Sequence, residues 1–192
     1  MNEVMNLFST ADTGTVSASV KLLLLLTVLS LAPSILILMT CFTRIVIVLG
    51  FVRTALSTQQ MPPTQVLIGL SLFITFFVMA PVFSEVNEEA LQPLFKDEIK
   101  LEEAYSLAAE PMKEFMAKHT RQADLQLFLD YTKAAAPASV EEIPLTTLVP
   151  AFAISELKTA FQIGFMIFIP FLVIDMIVAS VLTEPGFVFF LW

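Results

Sequence analysis

The sequence predicts an all-α integral membrane protein: an apolar helical hairpin, a small helical extracytoplasmic insert and a third apolar segment. Three observations predict it. The chain of 192 residues is 57% hydrophobic and only 15% charged, whereas a soluble domain runs nearer half apolar and a quarter charged; its mean hydropathy is +0.83. The apolar residues fall in long runs, with no charge in 22–43 or in 54–84. Charge is gathered instead between 85 and 144, which hold thirteen of the eighteen acidic residues and six of the ten basic ones.

Residues 1–21 form a polar N-terminal segment. Glu3 and Asp12, and the lack of a basic stretch before an apolar run, do not fit a secretory signal. Residues 22–84 are the first hairpin. The 22 uncharged residues 22–43 match the ~20 needed to cross a hydrocarbon core. After Arg44 the apolar pattern resumes through Val52. One helix over 22–52 would run roughly 46 Å at 1.5 Å per residue, so it must tilt, protrude or kink, with Pro33 as the candidate kink. The turn TALSTQQMPPTQ leads to a second helix over 66–83, and Pro62 and Pro63 suit its first turn, where a missing N–H is harmless. Arg44 and Arg53 flank this turn and place it on the cytoplasmic side.

Residues 85–147 are the acidic insert, with net charge −7 over 85–144. Leu101, Ala104, Ala108, Met112 and Phe115 fall at helical spacing, and Leu125, Phe128 and Leu129 mark a second amphipathic helix over 123–136. Pro137, Pro144 and Pro150 punctuate the exit. Residues 148–182 are the third apolar segment. Its longest uncharged run, 159–174, has only 16 residues and contains Gly164 and Pro170, which is short for a span. Residues 183–192 form an atypical C-terminal tail.

The third segment carries the sharpest functional signal. Glu156, Lys158 and Asp175 lie among Phe, Ile and Val, and ionisable groups in such a setting belong in bundle interiors, ion pairs or polar pathways. Glu156 and Lys158 are two residues apart, about 200° around a helix, so they cannot pair with each other; each needs a partner on another helix or subunit, or snorkels into water. Arg44 is the basic candidate to meet Glu156 or Asp175. Asp175, about 28 Å farther along a continuous helix, makes a separate contact. Ser155, Thr159, Gln162 and Gly164 permit close helix packing and interhelical hydrogen bonds. Phe161, Phe165, Phe168 and Phe171 read as core or lipid contact, or more sharply as a gasket narrowing a pore.

Other chemistry finds little foothold. There is no HExxH, GxGxxG, Walker loop or nucleophile elbow, so no catalytic, cofactor or metal residue is assigned and no enzyme is expected. The single cysteine, Cys41, reads as a small buried hydrophobe and excludes internal disulfides. The single histidine, His119, beside Lys118 and Arg121, reads as part of a solvated helix face. A net charge of −8 argues against a nucleic-acid partner.

Three blocks then carry a resemblance: LSLAPSILILMTCFTRIVIVLGFVRTAL running into PPTQVLIGLSLFITFFVMAPVF; PMKEFMAKHTRQADLQLF; and LVPAFAISELKTAFQIGFMIFIPFLVIDMIVASVL. Together they resemble the FliP family of flagellar export-gate proteins and its virulence type III secretion counterparts. The resemblance implies a homo-oligomer of five copies with two smaller membrane partners, FliQ-like and FliR-like. It also implies a conduit for unfolded export substrates in the bacterial inner membrane at the flagellar basal body, with the acidic insert periplasmic. Arg44, Glu156, Lys158 and Asp175 would then set the register between helices and subunits. After Leu182 the expected methionine-rich gating loop gives way to TEPGFVFFLW, so a truncated, non-functional gate fragment is an alternative. A proton-coupled secondary transporter subunit, with Glu156 or Asp175 carrying the proton, is another.

Overall fold

A computed structural model describes residues 23, 26, 27, 30–56, 61–132, 137 and 139–183. Among these residues the regular elements are all helical, as the apolar runs and the absence of strand alternation dictate. The N-terminal segment 1–21, all but Thr183 of the C-terminal tail, and residues 133–136 of the expected second insert helix lie outside the described residues. The chain divides into two compact units, 1–36 and 37–192. The first contributes Leu23, Leu26, Thr27 and the start of helix α1 (Ser30–Met39). The second holds everything that follows.

The first helical run breaks at Thr40 and Cys41, after which α2 spans Phe42–Ala55. The break is therefore not at Pro33, which stays within helix. Thr40 and Cys41 are both buried, and hydroxyls take over for interrupted backbone pairing: Thr43 Oγ1 donates to the Ile37 carbonyl at 2.6 Å and the Phe42 N–H donates to Thr40 Oγ1 at 3.3 Å. Such local side-chain bonds compete with the helical ladder.

Helix α3 spans Thr64–Val86. Pro63 is its N-cap rather than a first-turn residue, because an extended φ/ψ pair at Pro63 sets the entry into the helix. The helix does not stop at Glu85: it continues through a π-helical turn, Asn87–Leu91, into α4 (Gln92–Phe95). Its buried residues are Leu67, Ser71, Thr75 and Met79, one every four residues and so a single stripe. The two hydroxyls donate back along the helix, Ser71 Oγ to the Leu67 carbonyl at 2.7 Å and Thr75 Oγ1 to the Ser71 carbonyl at 2.6 Å. Phe73, Phe76 and Phe77 point outward and are exposed. Small hydroxyls inside and phenyl rings outside invert the soluble-protein pattern and suit an apolar surrounding.

The acidic stretch folds into α5 (Leu101–His119) and α6 (Gln122–Thr132). Helix α5 turns Ala104, Pro111, Met112 and Met116 inward. Helix α7 then runs unbroken from Leu145 to Thr183. At 39 residues it is roughly 58 Å long. The third apolar segment is thus not short: Pro150, Gly164 and Pro170 are accommodated within it, and its charges do not end it because two of them find partners. By length and composition two helical stretches can cross a membrane, Thr64–Phe95 and Leu145–Leu182, with a third if α1 and α2 form one broken span.

Two clusters form the interior. One gathers Met116, Ile143, Leu148 and Phe152; the other gathers Cys41, Met79 and Met112. Met39 and Phe115 pack against both. Helix α7 is the shared wall: it packs against α2, α5 and α6. Its buried residues Thr147, Leu148, Ala151, Phe152, Ser155, Glu156 and Ala160 lie in its first half, with Gly164 last. Beyond Gly164 no described residue of α7 is buried, and Phe165, Met166, Ile169, Leu172 and Ile174 are exposed.

Candidate functional site

The chemistry of the chain is concentrated on two faces of the first half of α7. On the first, Glu156 is 1% exposed. Arg44, in the first turn of α2, reaches it through Nη2, which donates to Glu156 Oε1. The pair joins residues 112 apart in sequence and ties α2 to α7. Arg44 Nε and Glu156 Oε2 are buried and have no hydrogen-bond partner. About two turns farther along both helices, Gly164 and Phe51 allow α2 and α7 to close. A Cβ built on Gly164 would run into the ring carbons Cγ, Cδ2 and Cε2 of Phe51. That ring also packs edge-on against Phe161, with centroids 5.8 Å apart.

The second face is Ser155, Lys158, Thr159 and Gln162. Their spacing of i, i+3, i+4, i+7 puts all four on one side of the helix, and two residues of the insert read that side. Asp124 on α6 is 2% exposed; it accepts Lys158 Nζ at Oδ1 and Ser155 Oγ, at 2.8 Å, at Oδ2. Arg121, immediately before α6, donates its backbone N–H to Ser155 Oγ at 3.0 Å. Its Nη2 donates to Thr159 Oγ1 at 3.2 Å and also to Gln162 Oε1. Ser155 therefore relays between the two, accepting from Arg121 and donating to Asp124. The hydrogen bond from Lys158 holds the Asp124 carboxyl below the usual carboxylate range, against the opposing pull of burial and with a further contribution from Ser155.

That shift has a sign. A carboxyl with a depressed folded-state pKa adds stability above its unfolded value, about 4, and loses that contribution as pH falls through the folded value. The melting temperature of the detergent-solubilised chain, followed by circular dichroism, is therefore expected to drop as pH is lowered from about 5 toward 2. In Asp124→Asn that part of the drop disappears; an unchanged pH profile in the variant would contradict the assignment.

The structure thus joins Arg44 to Glu156 and Lys158 to Asp124, both within one chain. Asp175 stands apart: it is exposed on the second half of α7 and makes no hydrogen bond or ion pair among the described residues. His119 is not on a solvated face. It is half-buried, its Nδ1 lies 2.8 Å from the Phe115 carbonyl, and its ring lies against the Phe115 ring at 4.5 Å between centroids; the helical turn back onto Phe115 folds it inward. Arg121 and Asp124 were not singled out by the sequence. The signal for them is the polar stripe on α7, which as a row of four demands polar partners from a facing helix. Among the described residues no group of three or more His, Cys, Asp or Glu could hold a metal ion.

A family model described as the FliP family matches residues 25–190. The chain belongs to the FliP family. The flagellar biosynthetic protein FliP of Bacillus subtilis (strain 168) is 71% identical over 186 residues, 97% of this chain and 84% of the relative. The protein of the same name from Aquifex aeolicus is 49% identical over 177 residues, covering 91% of this chain and 74% of its own length. That of Pectobacterium carotovorum subsp. carotovorum is 52% identical over 168 residues, 88% of this chain and 65% of its own. The FliP match continues eight residues past Leu182, where the resemblance read from the sequence ended. With two helical stretches able to cross a bilayer, this FliP-family chain is a membrane protein.

Proposed function

We propose that the chain is a subunit of the export gate of the flagellar type III secretion apparatus, acting by assembly rather than catalysis. Five copies, with FliQ-like and FliR-like membrane subunits, would surround a conduit for unfolded export substrates in the bacterial inner membrane, with the acidic insert on the periplasmic side. Family membership supports the flagellar export role. The observation that carries the assembly role is the division of α7. Its first half is internally paired through Glu156 and Lys158, while its second half exposes Phe165, Met166, Ile169 and Asp175. A carboxylate on an otherwise apolar exposed surface is costly in lipid and is suited to a basic group on a neighbouring subunit. In this reading Arg44, Glu156 and Lys158 hold the subunit's own helices in register, and Asp175 makes the contact between subunits.

The test is to express Asp175→Ala and Asp175→Asn in a strain that has lost swimming by deletion of its own FliP-family gene and regains it with the unsubstituted chain. The expected result is a chain that accumulates and melts like the unsubstituted one, yet yields no large gate complex on native gels and no swimming. A proton-carrying role for Asp175 predicts the opposite pattern, intact complexes with export abolished, and that outcome would overturn the assembly reading.

A further inference from the structure

We infer that the Arg44–Glu156 pair encloses an internal hydration site, in which water bridges Arg44 Nε to Glu156 Oε2. The inference starts from an imbalance inside the pair. Only one of the two donor–acceptor couples of a guanidinium–carboxylate fork is made, Nη2 to Oε1. The other couple is left as one buried donor and one buried acceptor with no protein partner. Buried polar atoms of this kind are rare, because each forfeits its hydration. A donor and an acceptor orphaned on the two halves of the same ion pair are what one water can satisfy at once, and water is the ligand that sites with two to four polar partners take up.

Further buried polar groups lie on α3 and just before α2. Thr40 and Cys41, just before α2, and Ser71 and Thr75 on α3 are all buried. Cys41, three residues before Arg44, clusters with Met79 of α3 and Met112 of α5. Ser71 and Thr75 spend their protons on backbone carbonyls, which leaves their oxygen lone pairs as acceptors for a water hydrogen.

The experiment is solution NMR on the full chain in detergent micelles, labelled with 15N-arginine. The chain has three arginines, Arg44, Arg53 and Arg121, so the Nε–Hε resonances are few. Arg44 is assigned by Arg44→Lys, or by elimination with Arg53→Lys and Arg121→Lys if that variant does not fold. The expected result is a rotating-frame Overhauser cross-peak between Arg44 Hε and water, opposite in sign to the chemical-exchange peaks. Absence of that cross-peak, or a peak of exchange sign only, overturns the proposal. So does density at about 2 Å resolution in which Arg44 Nε donates directly to Glu156 Oε2.

Discussion

Arg44→Ala is expected to destabilise the chain by about 3–5 kcal/mol, the range for removing one partner of a buried ion pair. The cause is less the lost attraction than the residue left behind. Glu156 is 1% exposed, so without the guanidinium a carboxylate remains in the interior with no opposite charge. For a chain of this length the melting temperature should fall by roughly 10 °C. The double variant Arg44→Met with Glu156→Leu separates the two contributions. Apolar side chains of similar volume replace a buried pair at little cost or with a gain, so the double variant should melt close to the unsubstituted chain. A double variant as unstable as Arg44→Ala would show that the pair itself, and not the orphaned charge, dominates. Motility should be lost in the single variant with the loss of folded protein.

Gly164→Leu should be nearly as damaging, at about 1–3 kcal/mol or more for overpacking a close contact. At Gly164 the first carbon of any side chain already meets the ring of Phe51, and that ring is held from another side by Phe161. Helices α2 and α7 would have to separate, and Arg44 with them. Phe51→Ala in the Gly164→Leu background should restore part of the loss by vacating the volume. Paired thermal melts of the single and double variants measure the coupling directly; simple additivity would mean that the two positions are not in contact. Gly164→Ala should fall between: its Cβ would lie 2.5 Å from Phe51 Cγ, which rotation of the ring about its own axis does not move, so the Phe51 side chain must shift as a whole, but less than for leucine.

Both predictions rest on contacts that the sequence only half announced. The polar-in-apolar signal at Glu156 and Lys158 was legible, and so was the requirement that they face different partners, because a 100° step per residue separates them by construction. Which residue answers each was open. Arg44 stood out as the basic residue closing the first apolar run. Asp124 did not, because one acidic residue among thirteen in a hydrophilic stretch looks like its solvated neighbours. Only when α6 is laid on α7 does it become 2% exposed. The stripe on α3 was hidden for a related reason. Ser71 and Thr75 read as incidental polar residues in an apolar helix, yet they are the buried ones, while the phenylalanines beside them face out. In an apolar surrounding, hydrophobicity no longer marks the inside, so pattern alone cannot tell the packed face from the exposed one.

Helix limits followed the same division. Pro33 was the evident place for a kink, but the break falls at Thr40–Cys41, where hydroxyls can replace the lost backbone bonds. Pro150 and Pro170 looked like interruptions, yet α7 passes through both. Pro150 lies in the half of the helix that packs against its neighbours, where a missing donor is tolerated, whereas nothing among the described residues buries Pro170, which is exposed.

By itself the sequence determined the helical class, the apolar runs, the acidic insert between them and the family, since these depend on composition and on the order of residue types. The tertiary structure alone decided that Glu156 turns to Arg44 and Lys158 to Asp124, that Gly164 seats Phe51, and that the second half of α7 is left uncovered with Asp175 on it. Those outcomes depend on how separate helices meet, and a pairing across 112 residues leaves no local trace in the chain that makes it.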